Sequence, residues 1–379
     1  MAVHVSTDAQ GRRRIRFTRR TFNTHFHPRN REEDARFETA GPFQFQRYHR
    51  GIGIGNLGEP VRTAERALWW YQMVKRYADE CGFPRFEFYV APVINDETTP
   101  EDIYELADLP FVRGIKTLPW GGTTGAHAGG ISNFFADRFR ACLQAAQDIN
   151  RSGTRFNWYV HAEWPDQRIP PVLREPMFVP TLGHYGESLP DLPISVEHVS
   201  KREMIAFVRA GKGRFGGGLT SHHIRVTTHM ADADDFLKCM PYPGNPSDAE
   251  AVLEAMLSGE PWWYLGTDDA PHLKHGHKLR QDGKPPASGV FSGPCELEEI
   301  VATFARHDRL EHLEDFVCIN GARQNDLPDA VDGTVEFVEE PYEVPDEIAT
   351  RDGNAMVPYR RGEMLAFRLA VDAAGRALI

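Results

Sequence analysis

The chain is short of cysteine, of long apolar runs and of positive charge, and each shortage removes a class of protein. Its five cysteines (Cys81, Cys142, Cys239, Cys295 and Cys318) are widely spaced, odd in number and without a C-x-x-C pair. That pattern fits reduced thiols, and argues against a disulfide frame or a thiolate zinc site. No stretch approaches the roughly 20 apolar residues that cross a bilayer. The N-terminus lacks the apolar segment of a signal peptide and carries Arg12, Arg13 and Arg14 where it would lie. The expectation is a cytoplasmic protein that meets no membrane. A net charge of −11 argues against nucleic acid as the main partner. The basic run Arg12, Arg13, Arg14, Arg19, Arg20 then reads as a solvated edge. No internal repeat or low-complexity linker is present.

What the chain does have is enough apolar matter for a sizeable core: 379 residues, 41% hydrophobic and 11% aromatic. Eight short β-like runs can be read: Arg14–His27, Gly51–Asn56, Arg85–Pro92, Val112–Pro119, Phe156–Glu163, Pro193–Val199, Gly217–Ser221 and Trp262–Asp268. Several are apolar throughout, as expected of parallel strands buried on both faces. Helix-like segments separate most of them, with amphipathic stretches from about Val61 to Cys81 and from Ile131 to Ile149. Thr99-Pro100-Glu101-Asp102 supplies a cap, a first-turn proline and acids. Ser200-Lys201-Arg202-Glu203 and Ser247-Asp248-Ala249-Glu250 read as capping boxes. Eight strands alternating with helices predict an α/β fold, a (β/α)8 TIM barrel over residues 1–330. Residues 331–379, acidic and proline-containing, are expected to form a small C-terminal extension packed on it.

Barrel chemistry sits at the C-terminal ends of the strands. Those ends carry His25 and His27, Asn56, Lys116, His161, His198 and Asp268. In His25-Phe26-His27 the two imidazoles leave one strand face together, because residues two apart share a face. Taken singly, each residue has a bland reading. A lone histidine such as His161 is more often a satisfied core or surface group, a strand-end lysine more often solvated or phosphate-binding, and Asp268 could simply cap a helix. Together, four histidines, an aspartate and a bridging group form a nitrogen and carboxylate donor set that suits zinc.

At these motifs the chain resembles the dihydroorotases of the amidohydrolase superfamily, in their monofunctional bacterial form. The motifs are Thr24-His25-Phe26-His27-Pro28-Arg29, Gly55-Asn56-Leu57, Gly114-Ile115-Lys116, Val160-His161-Ala162-Glu163, Val196-Glu197-His198-Val199 and Leu265-Gly266-Thr267-Asp268-Asp269-Ala270-Pro271-His272. The resemblance runs from about Ile15 to Phe367, with its longest mismatch between Arg31 and Tyr48. It implies two Zn2+ ions per chain. His25, His27 and Asp268 would bind the first, and His161 and His198 the second. Lys116, carboxylated, would bridge them, since an ammonium has no lone pair to give a cation. Asp268 would also be the catalytic proton carrier. The reaction implied is the opening of a cyclic amide, with dihydroorotate and N-carbamoyl-L-aspartate interconverted in pyrimidine biosynthesis.

The resemblance also implies a small anionic substrate. Arg29, two residues beyond His27, could grip its carboxylate with both prongs of the guanidinium, with Asn56 and His272 completing the pocket. Arg29 could equally be a surface ion-pair residue, and Asn56 a turn residue. Backbone contacts to the ring would fall at Met240 and Gly293, by alignment alone. The glycine-rich stretch Pro119–Gly130 reads as a mobile loop, with Thr123 and Thr124 matching the hydroxyl pair that closes on substrate in the family. There are departures from the family pattern: Asn30 in place of an acid, Gly53 to Gly55 in place of an apolar lead-in, and Leu118 in place of an aromatic. The segment Cys239–Gly244 also lacks the basic residues expected after its proline. No departure removes a metal ligand, so they bear on the substrate and not on the reaction class. His222, His223, His275 and His277 are extra histidines near strand ends, read as neighbours of the site or as surface groups. The competing readings are a related hydrolase of another cyclic amide or ureide, a non-catalytic homologue acting as a scaffold, and a metal-dependent phosphoesterase. A homodimer is left open.

Overall fold

The computed structural model describes residues 3–33, 35–123 and 126–371. Two short strands open it, β1 (His4–Thr7) and β2 (Arg13–Arg16). They are followed by β3 (Phe22–Phe26), α1 (Arg36–Arg47), β4 (Arg50–Ile54), α2 (Ala64–Glu80), β5 (Glu87–Ala91) and α3 (Pro100–Ala107). The middle of the chain holds β6 (Gly114–Thr117), α4 (Ala126–Gly129), α5 (Asp137–Arg151), β7 (Asn157–Val160), α6 (Pro171–Ser188), β8 (Ile194–Val196), α7 (Arg202–Ala210) and β9 (Phe215–Leu219). Then come α8 (Thr228–Ala233), α9 (Pro246–Leu257), β10 (Trp263–Leu265), α10 (Glu296–Arg306), α11 (Leu310–Glu314) and α12 (Asn320–Gln324). Strands β11 (Glu336–Glu343), β12 (Ile348–Ala349), β13 (Ala355–Met356) and β14 (Met364–Leu369) close the described chain.

The fold is α/β. Strands β3, β4 and β5 form one parallel sheet, and β6 to β10 a second, each strand beside its neighbour in sequence. Parallel bridges join Val90 to Val112, Val93 to Lys116 and Phe26 to Asp269, so residues of the first sheet meet residues beside both outer strands of the second. All eight of the anticipated strand segments contain a strand, mostly trimmed by one to three residues at each end. Seven of the eight strands are buried along their whole length, the exception being β5. This burial on both faces is why their sequences do not alternate. Trp70, Trp158 and Trp263 lie in the core between sheet and helices. Two glycine positions are set by them or by their neighbours. A Cβ on Gly53 would lie 2.6 Å from the Phe88 ring and 2.9 Å from Trp70, and one on Gly217 would lie 2.1 Å from Trp263. The aromatic rings occupy the space that side chains would take, which explains the glycine-rich lead-in before Asn56.

Several local expectations need correction. The run Arg14–His27 is two strands: β2 belongs to an antiparallel sheet ordered β1-β2-β11-β14, and only β3 joins the parallel array. The extension after residue 330 therefore shares its sheet with the first strands of the chain. The Thr99 capping box is present around α3. Helix α7 begins after Lys201 without a side-chain cap, because Ser200 instead donates to buried Glu175, which also accepts the Ser200 backbone N–H at 3.0 Å. Helix α9 is capped by Asn245, two residues before the expected Ser247, with Asp248 returning the bond at 2.9 Å. Helix α1 fills the stretch from Arg31 to Tyr48 where no element was anticipated.

Candidate active site

The C-terminal ends of the parallel strands converge on a cavity with about 400 Å³ of empty space. Its lining includes His25, His27, Lys116, His161, His198 and Asp268, and also Arg29, Asn56, His272, Thr123 and Met240. Residues from six separate strand ends are thus brought together. The loop bearing Thr123 is pinned at its base, where Trp120 N–H donates to Ile131 O at 2.9 Å and Ile131 N–H to Leu118 O at 2.7 Å. Gly293 does not line the cavity: its N–H donates to Asp269 at 3.0 Å. Ser288 and Gly289 stand on that side of the cavity instead. Thr124 lies outside the described residues.

On one wall, His27 Nε2 is 3.0 Å and His25 Nε2 3.4 Å from the same Asp268 carboxylate oxygen. These three groups are close enough to share one ion. The opposite nitrogen of His25 is 2.7 Å from Glu197 Oε2, which orients the ring and leaves Nε2 facing Asp268. His161 is held in the same way by Glu163, at 2.5 Å. The ring centroids of His161 and His198 are 4.6 Å apart, those of His25 and His198 5.0 Å, and Lys116 Nζ is 3.4 Å from His198 Nε2. Glu163 and Glu197 were quoted within the motifs, but no role was read for them; the two-residue spacing to His161 could have signalled Glu163, whereas Glu197 meets His25 only through the fold.

Burial sets the charge states. It lowers the pKa of His27 to about 3 and holds His161 and His198 below the ordinary histidine range. Their rings are therefore neutral and keep a lone pair. Burial also pulls the Lys116 ammonium down to about 8. Burial pushes Asp268 upward, but the adjoining imidazoles of His25 and His27 outweigh it and hold the carboxyl well below its usual range. Asp268, Glu163 and Glu197 are thus three buried acids around one lysine. Among the described residues, His27 Nδ1 and His198 Nδ1 are buried without a hydrogen-bond partner. The buried Asp268 carboxylate, faced by His25 and His27, is what a divalent cation would compensate.

Strained backbone underlies both walls. Arg29, His198 and Asp268 have φ of 70°, 42° and 48°, a left-handed region that non-glycine residues occupy at a cost and most often at functional sites. Arg29 Nε donates to Pro271 O at 3.2 Å, and its guanidinium is 3.3 Å from His272 Nε2, itself 3.0 Å from Ser288 O. Trp70 anchors the Arg29 carbonyl at 3.0 Å. Below the cavity, Asn23 donates to Gln44 and Thr267, both at 2.8 Å, and Gln44 donates to Asp269 at 2.9 Å. This network locks the end of β3 to the segment carrying Asp268.

No protein-family model matches the chain. It is 30% identical over 314 residues to a protein named probable dihydroorotase from Schizosaccharomyces pombe, an alignment covering 82% of this chain and 86% of that one. The chain belongs to the dihydroorotase family. It is also 28% identical to the dihydroorotase of Idiomarina loihiensis, over 91% of this chain and 96% of the relative. A crystal structure of Saccharomyces cerevisiae dihydroorotase in complex with 5-fluoroorotic acid shares the fold, with a TM-score of 0.84 at 23% identity, covering 93% and 98% of the two chains. Dihydroorotases are metal-dependent cyclic amidohydrolases, and the cavity described above carries the histidine, aspartate and lysine set that such chemistry calls for.

Proposed function

We propose that this chain interconverts dihydroorotate and N-carbamoyl-L-aspartate in pyrimidine biosynthesis. One observation carries the reading: a metal-type donor set and an arginine–asparagine–histidine group face each other across one buried cavity in a chain of this family. The architecture this reading calls for is a (β/α)8 barrel built on the parallel strands β3 to β10, with the sheet of β1, β2, β11 and β14 beside it, in the cytoplasm. No helix among the described residues is long and apolar enough to cross a membrane. A homodimer is compatible with the reading.

Two divalent cations, zinc by the donor chemistry, fit this cavity. His25, His27 and Asp268 would hold one and His161 and His198 the other. Lys116 would bridge both as a carboxylated side chain, its lowered pKa favouring the neutral amine that reacts with carbon dioxide. Bound there, the cations would supply Lewis acidity, which brings the pKa of water from 15.7 towards neutrality and polarises an amide carbonyl. Asp268, ionised at physiological pH, takes the proton of the attacking water. It then delivers that proton to the ring nitrogen as the carbon–nitrogen bond breaks. Glu197 and Glu163 keep His25 and His161 in the tautomers that present a lone pair inward. Arg29, with Asn56 and His272, holds the substrate carboxylate so that the scissile amide faces the metal wall. Thr123 and the backbone of Met240 border the ring.

Arg29 tests the substrate assignment. Removing one partner of a desolvated, hydrogen-bonded charge pair costs roughly 2–5 kcal/mol, so Arg29→Ala should lower kcat/KM for dihydroorotate by about thirty-fold or more with metal content unchanged. A neutral ring lacking the carboxylate should be a poor substrate and indifferent to the substitution. If the parent opens that neutral ring as fast as dihydroorotate, the enzyme acts on another cyclic amide. The missing basic residues in Cys239–Gly244 would then be the reason.

A further inference from the structure

Just past β9, outside the cavity lining, His222 is fully buried and neither of its ring nitrogens has a hydrogen-bond partner among the described residues. A buried polar group in that state points to an ion or a water that belongs beside it. Its surroundings favour an ion. His223 Nε2 is 3.6 Å from Cys239 Sγ and 3.1 Å from the Pro241 carbonyl oxygen, and that oxygen is 3.7 Å from Cys239 Sγ. A point equidistant from the corners of that triangle lies about 2 Å from each, close to the roughly 2.0–2.3 Å of zinc bonds to nitrogen, oxygen and sulfur. A ring nitrogen of His222 lies within 4.8 Å of both a His223 nitrogen and the Cys239 sulfur, near enough to supply a fourth donor by a small ring rotation. Thr220 Oγ1, 2.9 Å from His223 Nδ1, can accept the Nδ1 proton and so leave the Nε2 lone pair facing the sulfur, as the outer partner of a ligating histidine does.

We propose that His222, His223, Cys239 and the Pro241 carbonyl form a cation site, separate from the catalytic pair, for zinc or another thiophilic divalent ion. Binding forms four bonds to the cation and releases the thiol proton to solvent. The site ties the turn after β9 to the segment whose next residue, Met240, lines the cavity. Its role is to hold that segment in place. The proposal departs from the sequence reading on this point, because the cysteine lies 17 and 16 residues from the two histidines in the chain and meets them only in the fold.

Cobalt tests the proposal in the full-length protein. The proposed catalytic ligands are nitrogen and oxygen donors only, so thiolate-to-cobalt charge-transfer absorption reports on the cysteine site alone. The parent should bind one Co2+ beyond the catalytic complement and show that band. Cys239→Ser should lose both the band and the extra ion. His222→Gln should weaken the banded site at least tenfold. A band that survives Cys239→Ser, an extra ion absent from the parent, or unchanged affinity in His222→Gln would each overturn the assignment in favour of a buried water. If Cys239→Ser does not fold, His222→Gln decides alone.

Discussion

Glu197→Gln is the substitution that most sharply separates a metal-supporting carboxylate from a merely buried one. Glu197 is fully buried, accepts from His25 Nδ1 at 2.7 Å through one oxygen, and accepts from the Ser195 hydroxyl through the other. Glutamine keeps the shape but has one acceptor oxygen, so one of the two donors is left facing an NH2 group. The bond to His25 also loses its charge assistance, which roughly halves its strength. Replacing the carboxylate behind a ligating histidine typically costs about 10–100-fold in metal affinity or activity, that is about 1.4–2.7 kcal/mol. The expected result is a drop of that size in kcat/KM for dihydroorotate, a parallel weakening of zinc binding, and a circular dichroism spectrum like the parent's. Unchanged zinc affinity and rate would refute the orienting role. A loss far beyond a hundredfold with zinc retained would mean that Glu197 touches the substrate itself.

Lys116→Ala should abolish turnover and weaken metal binding, and a small carboxylic acid added to the assay should restore part of both by replacing the bridge. Normal activity with full metal content would make the lysine merely structural. Glu175, buried beside Ser200 and Lys201, is pushed up to about 7 by burial, so the folded state holds its proton at pH values where the unfolded chain has lost it. Its stabilising contribution is complete below the ordinary carboxylate range and is lost as pH rises to about 7. Melting curves at about pH 5 and pH 8 should therefore differ less for Glu175→Gln than for the parent; equal differences would contradict the shift.

Much of the site was legible because its proposed ligands sit where short-range rules apply. His25 and His27 share a face by strand periodicity, and Lys116, His161, His198 and Asp268 close apolar runs that could only be buried strands. What the pattern could not convey is which side chains meet across the fold. Gln44, on a helix where no element was expected, reaches Asp269 through space, and Glu163 and Glu197 acquire meaning only when their histidines point inward. Helix starts failed where a tertiary partner outcompeted the local cap. Ser200 gives its hydroxyl to Glu175 and so cannot cap α7. Gly293 and the pair Ser288 and Gly289 are separated by only a few residues, a difference that register along an irregular loop does not reveal. The break between β2 and β3 is likewise set by pairing with β11 near the other end of the chain.

The most direct test of the central claim is a zinc titration of metal-stripped protein with dihydroorotate consumption and formation followed together. Activity in both directions should rise from near zero and level off once the two catalytic equivalents per chain are filled, with His161→Ala taking up about one equivalent fewer than the parent. Full activity in the stripped protein, or two bound equivalents with no turnover of either compound, would contradict it.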